Sequence, residues 1–242
     1  AALRMERADV RWIDFSAPRD VRVSIPHQRN AGVRAAGGDV IVFIDARCTP
    51  QEGWLATLVA PILAGEEDVV AGAVGSSDGD SPWDSEDDGG YLSECPTINL
   101  AFTRRAFESV GGFDESFSYG SDVDFTWRLN DAGFRILRRA AARITHEWGS
   151  TPRRLRRSFD YGVARGRLYR KHTRRIPGAL RSDPVPFAYP VFLLGLPLVR
   201  RFPLYPTLLL IPAWRNRRIG PVRAVIDHLI YGAGTMAGAL RR

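Results

Sequence analysis

Five β-branched or aromatic residues in unbroken succession, Val40-Ile41-Val42-Phe43-Ile44, follow a stretch of helical composition from Gln28 to Ala36 and the breaker Gly37-Gly38-Asp39. A run without polar alternation is a strand buried on both faces, and a helix feeding such a run predicts an αβ unit in a covered, largely parallel sheet. The chain downstream fits that frame. Trp54 to Leu63 predicts a helix, Val69 to Val74 a second buried strand, Pro96 to Arg104 a strand and Arg105 to Val110 a helix. Another helix is predicted from Asp122 through Leu129 to the stop signal Asp131-Ala132-Gly133. Phe134 to Leu137 and Ala142 to Thr145 read as short strands that leave His146 on a loop, and Val10 to Phe15 alternates weakly as a strand. Ser76 to Gly90 is Ser, Asp, Gly and Glu with one Trp and one Pro, a surface loop that serves either as a substrate lid or as a solvated insertion.

A chain of 242 residues with 45% hydrophobic content holds a sizeable core and divides into a domain over 1–150 and a further region over 151–242. The formal charge of +7 is concentrated: residues 153–175 carry ten basic side chains against the single acid Asp160. All of the chain's basic residues but Lys171 are Arg, a bias that points to a genome rich in G and C rather than to a phosphate-binding surface. Nucleic acid is therefore not an expected partner. The basic stretch predicts an amphipathic helix, either lying on anionic lipid headgroups or solvated and packed on the core. Beyond it, Phe187 to Val199 and Phe202 to Trp214 are apolar but broken by prolines, each shorter than the ~20 residues that span a bilayer. They fit interfacial or re-entrant helices, or a buried helical hairpin. Cys48 and Cys95 form no C-x-x-C pair, so a structural zinc is not expected. Two thiols with no signal peptide ahead of them imply a reduced, cytoplasmic setting.

Chemistry-bearing residues gather between Cys95 and Arg128: Asn99, the turn Gly111-Gly112-Phe113-Asp114-Glu115, and Gly120-Ser121-Asp122-Val123-Asp124-Phe125-Thr126-Trp127-Arg128. Asp122 and Asp124, two apart after the Tyr119-Gly120 turn, diverge by about 200° on a helix, so that one faces a cleft while the other orients its surroundings. The alternative is a solvated helix start, where Asp is favoured by unpaired N–H groups and the helix dipole.

Taken with Arg29-Asn30-Ala31-Gly32, Asp45-Ala46-Arg47 at the end of the apolar run, and His146-Glu147-Trp148, this order and spacing resembles the family-2 glycosyltransferases, inverting sugar-transfer enzymes of the GT-A fold, over roughly residues 20–175. The resemblance implies an α/β fold, a GT-A (Rossmann-like) mixed sheet flanked by helices, with a basic and apolar helical tail. It implies Asp122 as the base that takes the acceptor proton, with Ser121 where Glu is commoner. Donor-side residues are then Arg29, Asn30 and Asp45, while Asn99, Gly111, Gly112, Asp114, Asp124, Trp127 and Arg128 belong to the loop beside donor sugar and acceptor. The family's second strand-end carboxylate is replaced by Arg47, which neutralises the diphosphate itself or marks lost activity. A divalent cation, Mg or Mn, is implied through Asp45 and His146. The family's opening strand and helix have no clear counterpart before Val10, so the first βα unit is expected to be missing or eroded.

The implied activity is transfer of a sugar from a nucleoside-diphosphate donor, a UDP-sugar, to a hydroxyl of a lipid-linked or polysaccharide acceptor, peripheral at the inner face of the cell membrane. The rival expectation is a non-catalytic GT-A-like domain that binds a partner enzyme or a carbohydrate.

Overall fold

The computed structural model describes residues 11, 13–15, 23–77, 81, 83–147, 152–215 and 220–240, and the chain forms two compact units, residues 1–148 and 149–242. In the first unit helix α1 (Ile25–Ala35) starts on a reciprocal cap. The Ser24 hydroxyl and His27 Nδ1 lie 2.9 Å apart, the Ser24 N–H donates to the same ring nitrogen, and Pro26 sits in the first turn, where no N–H is needed. Strand β1 (Val40–Ile44) follows, then the short β2 (Cys48–Pro50), helix α2 (Trp54–Leu63), β3 (Val69–Ser76), β4 (Tyr91–Leu92), β5 (Asn99–Thr103), α3 (Arg104–Ser109), α4 (Ser121–Asp131) and β6 (Ile136–His146). Residues 11 and 13–15 of the strand expected over Val10–Phe15 are irregular, and the rest of that expectation lies outside the described residues.

The sheet runs β1-β5-β3-β6-β2, with β4 on β6. Among the described residues only β3–β6 is a parallel pair and the other four pairings are antiparallel, which corrects the expectation of a largely parallel sheet. β1, β3 and β6 do point one way, as helix-fed strands should, but the reversed β5 is wedged between the first two. The register places the end of β1, the start of β5 and the ends of β3 and β6 at one edge: Ile44 faces Asn99, and Ser76 faces His146.

Alternating side chains fill two layers. Val69, Leu100, Phe102 and Ile136 pack with α1, α3 and α4 around Phe107, Phe113 and Phe125. Val70, Ala101 and Ala142 pack against Leu58 and Ile62 of α2. The two short strands expected at 134–137 and 142–145 are one strand, with a register shift between Gly72 and Val74 of its parallel partner absorbing the irregularity. His146 is therefore a strand residue. The described part of the acidic loop is sewn to that strand: Asp84 pairs with Arg143, Asp88 with Arg139 at 3.1 Å, and the Ala140 N–H donates to Asp88 at 2.8 Å.

The second unit is helical: α5 (Pro152–Lys171), α6 (Ile176–Ser182), α7 (Val185–Leu194), α8 (Leu210–Arg215) and α9 (Pro221–Leu240), with short 3₁₀ turns at Thr173–Arg175, Leu196–Arg200 and Tyr205–Leu209. The prolines of the two apolar runs break them into these short pieces, and among the described residues no helix is long and apolar enough to cross a membrane. The buried face of α5 is its small residues Gly162, Ala164 and Gly166 with Leu168 and Tyr169; Leu155 and Tyr161 are exposed. Its partner is α9, which the sequence reading left unassigned. The helices touch backbone to backbone through paired G-x-x-x-G spacings, Gly162/Gly166 on α5 and Gly234/Gly238 on α9. A Cβ on Gly162 would lie 2.1 Å from the Tyr231 carbonyl oxygen, and one on Gly238 would lie 2.0 Å from that of Val163.

Gly162→Ala is thus expected to destabilise the second unit by about 1–3 kcal/mol, since neither backbone can yield. Gly178→Ala, inside α6 with nothing within 4 Å of its added methyl, should be neutral or gain about 0.5–1 kcal/mol from helix propensity. Urea unfolding followed by far-ultraviolet circular dichroism compares the two.

Candidate active site

Arg29 leaves the middle of α1 with its side chain mostly buried, its guanidinium carbon 5.7 Å from the centre of the Phe43 ring and 5.6 Å from that of Phe113. A guanidinium held on aromatic faces is fixed in direction without losing its charge. Its Nη2 reaches 3.5 Å from Oδ1 of Asp45, the residue that follows β1. Asp45 opens a turn closed by the Cys48 N–H donating to its carbonyl at 3.2 Å, which leaves Asp45 and Arg47 exposed at the sheet edge. A strand end of this kind is where open α/β sheets receive ligands.

Asp122 is the second residue of α4, entered through Gly120 at φ +76°. Its Oδ1 accepts the Val123 N–H at 3.0 Å, and the residue is half-buried. Burial pushes its carboxyl above the usual range; the Arg29 charge pulls the other way, and Glu94 adds to the rise. Arg29 is thereby the group common to both carboxylates. It is ion-paired to Asp45 and within electrostatic reach of Asp122.

Asp124, fully buried, turns away into the protein and accepts from Arg128 Nε at 2.8 Å. Arg128 spends its remaining donors on the glycine turn: Nη2 on the Gly112 carbonyl at 2.7 Å and Nη1 on that of Val110. Gly111 and Gly112 stand at φ +72° and +73°, and a Cβ on Gly112 would also strike Phe107 at 2.7 Å and Asn30 Oδ1 at 2.9 Å. Asn30 holds the same turn from the other side, donating to the Phe113 carbonyl at 2.9 Å and accepting the Phe113 N–H at 2.9 Å. A third bond runs from its amide to Glu115 Oε1. Asp124, Arg128 and Asn30 therefore shape the turn.

Other expected site residues are also placed elsewhere. Asn99 is buried and bridges the sheet, donating to the carbonyls of Ala73 and Ala142 at 2.9 and 2.8 Å and accepting Trp54 Nε1 at 2.8 Å. Gly72 beneath it exists for the same contact, since a Cβ there would fall 2.2 Å from the Asn99 amide nitrogen. Trp127 lies in the interior at 4% exposure. Asp114 Oδ1 accepts the Ser116 N–H at 2.9 Å, closing its own turn. Sequence reading missed Phe43 and Phe113 as the platform for Arg29, and Glu94 as the acid beside Asp122; no spacing rule ties either to the cluster.

A cation that bridges a diphosphate takes oxygen ligands. Asp45 supplies one carboxylate and is already paired to Arg29, position 47 is a cation, and His146 is buried with Nδ1 3.5 Å from Cys48 Sγ. Among the described residues no three His, Cys, Asp or Glu side chains gather as a metal site. Among the described residues, then, the oxygen ligands of the cation expected through Asp45 and His146 are not assembled.

Against known proteins, the chain is 31% identical over 136 residues to the pre-mycofactocin glycosyltransferase of Mycobacterium tuberculosis, an alignment covering 49% of this chain and 29% of that protein. It is 27% identical over 205 residues to the succinoglycan biosynthesis protein ExoA of Rhizobium meliloti, covering 77% of this chain and 61% of that one. The chain thus spans less than two thirds of the length of either relative. Among solved structures, the mannosyltransferase PcManGT of Pyrobaculum calidifontis, determined with GDP-Man and Mn2+, superposes with a TM-score of 0.60 at 16% identity, over 91% of this chain and 68% of that one, a likeness of fold. The mixed sheet flanked by helices is the GT-A fold. The profile of glycosyl transferase family 2 matches residues 22–143, which takes in the sheet edge, the glycine turn and both carboxylates, and the chain belongs to that family.

Proposed function

We propose that this chain is an inverting glycosyltransferase that moves a hexose from a nucleoside-diphosphate donor, a UDP-sugar, to a hydroxyl of a lipid-linked or polysaccharide acceptor at the inner face of the cell membrane. The single observation that carries the reading is Arg29 shared between Asp45 and Asp122. One cation serving a strand-end acid and a helix-start acid supports their facing the same donor.

In this reaction the acceptor O–H proton passes to the Asp122 carboxylate as the oxygen attacks the anomeric carbon. The bond from that carbon to the diphosphate oxygen breaks on the opposite side, the leaving group takes the electron pair, and one displacement inverts the centre. A carboxylate raised by burial is a better base than a solvated one. Asp45 accepts from donor hydroxyls, while Arg29 and the exposed Arg47 meet the developing phosphate charge. The glycine turn, braced by Asp124–Arg128 and by Asn30, offers backbone close to the sugar.

The rival, a non-catalytic domain, is favoured by Arg47 at the position of the second carboxylate. A UDP titration separates them: saturable binding that varies little with Mn2+ is expected, and no binding with or without Mn2+ leaves the non-catalytic reading.

Asp122→Asn should lower the transfer rate by about 10²–10⁴, the usual share of a general base, with UDP affinity retained; undiminished transfer removes Asp122 from this role. In the parent, transfer should rise with pH through the elevated Asp122 value, because the base acts ionised. Stability should move the opposite way. The folded state holds this proton more tightly than the unfolded chain, so its contribution is complete below about pH 4, the ordinary carboxylate value, and is lost as pH climbs through the raised one. Asp122→Asn is therefore expected to melt above the parent at pH 7, with the gap closing near pH 4. Arg128→Ala, which strips the guanidinium from a fully buried carboxylate, should cost about 3–5 kcal/mol by denaturant unfolding.

A further inference from the structure

Between β4 and β5 the chain runs from Ser93 to Ile98 without regular structure, yet it is tied down at both ends. Asn130, near the end of α4, donates from its side-chain amide to the Ser93 carbonyl at 3.0 Å and to that of Leu92 at 3.4 Å. Cys95 is buried in the same cluster as Phe125 and Leu129 of that helix. At the far end Asn99 pairs with Ile44, the residue before Asp45. The segment therefore leads from the flank of α4 to the strand edge where Asp45 stands, and Glu94 is fixed between a tethered carbonyl and a buried thiol.

Glu94 is half-buried, and its charge reaches two neighbours. After burial has raised the Asp122 carboxyl, Arg29 on α1 opposes the rise and Glu94 adds to it. Burial first, and then the charges of Asp122 and Glu94, push the Cys95 thiol up. One buried sulfur is thus within reach of both carboxylates, which sets the two acids together beside α4. The charges of the site are sorted accordingly. Arg29, paired with Asp45, and the exposed Arg47 stand at the strand end, while Asp122 and Glu94 form an acidic side.

We propose that Glu94 determines which acceptor this site takes: an uncharged sugar, whose attacking hydroxyl meets Asp122 while a neighbouring hydroxyl donates to Glu94, and not a sugar carrying a carboxylate or phosphate there. A carboxylate accepts several hydrogen bonds at once, so Glu94 takes a sugar hydroxyl and keeps its contacts within the protein. An anionic acceptor meets two like charges, and discrimination of this kind comes from the repulsive element as much as from the attractive one. The inference rests on the functional reading and deepens it by naming the acceptor class.

The test saturates the full chain with UDP and titrates it with the methyl glycosides of glucose and galactose and of the corresponding uronic acids, followed by saturation-transfer NMR. A neutral glycoside is expected to bind roughly tenfold or more tighter than its uronate. Glu94→Gln, equal in size and without the charge, should bring the two to within about twofold, and Glu94→Asp, which keeps the charge, should preserve most of the preference. The Asp122 carboxyl, followed by carbon-13 NMR, should titrate at lower pH in Glu94→Gln than in the parent, because the acid that opposes Arg29 is gone. A Glu94 with a structural role alone would move neither readout. If Glu94→Gln does not fold, the comparison of neutral and acidic glycosides in the parent still decides. A uronate bound as tightly as its neutral counterpart, neutral glycosides that do not bind, or a preference undiminished in folded Glu94→Gln each overturn the proposal. Failure of the parent to bind UDP is instead a failure of the functional reading.

Discussion

The first unit depends on where one guanidinium is held. Arg29 lies on Phe43 and Phe113, so its charge is fixed at the sheet edge by the same aromatic cluster that forms the core. Without it, the half-buried Asp122 would lose the charge that opposes its burial, and its raised proton affinity would rise further. The chain thus uses burial to strengthen an acid–base group and a cation to keep that group ionisable. Burial and the nearby cation act on the same carboxylate in opposite directions.

The glycine turn is rigid for a related reason. Two positive-φ glycines in succession are conformationally costly in the folded state and would wander if left to themselves. Here Arg128 and Asn30 grip the carbonyls of 110, 112 and 113 from opposite sides, and Asp124 neutralises Arg128 out of solvent. A buried pair of this kind contributes little net stability, because dehydrating both charges offsets their attraction. What it contributes is direction: one planar fork ties Asp124 to the carbonyls of Val110 and Gly112, which fixes the turn's shape.

How much of this was legible follows from what a one-dimensional pattern can carry. Apolar β-branched runs and glycine stops located β1, β3, α2 and α4 closely; β3 is buried along nearly its whole length, while β1, at the end of the sheet order, is only partly so. The direction of β5 was not legible, since antiparallel insertion between two aligned strands leaves no local mark. Asn99, Asn30 and Asp124 were grouped with ligand-facing residues because polar side chains near a glycine turn look alike in sequence whether they bind a ligand or a backbone. Only the orphan backbone groups around them decide, and those belong to other elements. Helix α9 was overlooked for the converse reason: its buried face is glycine, and a reading keyed to large apolar residues sees nothing there.

The two units therefore solve burial by opposite means. The first packs large rings, with the centroids of Phe113 and Phe125 4.3 Å apart, and can support side-chain chemistry at its edge because its interior is filled. The second brings backbones into contact at Gly162, Gly166, Gly234 and Gly238; it buries Leu168, Tyr169 and Tyr189 but leaves Leu194, Leu204, Ile211 and Trp214 on its surface.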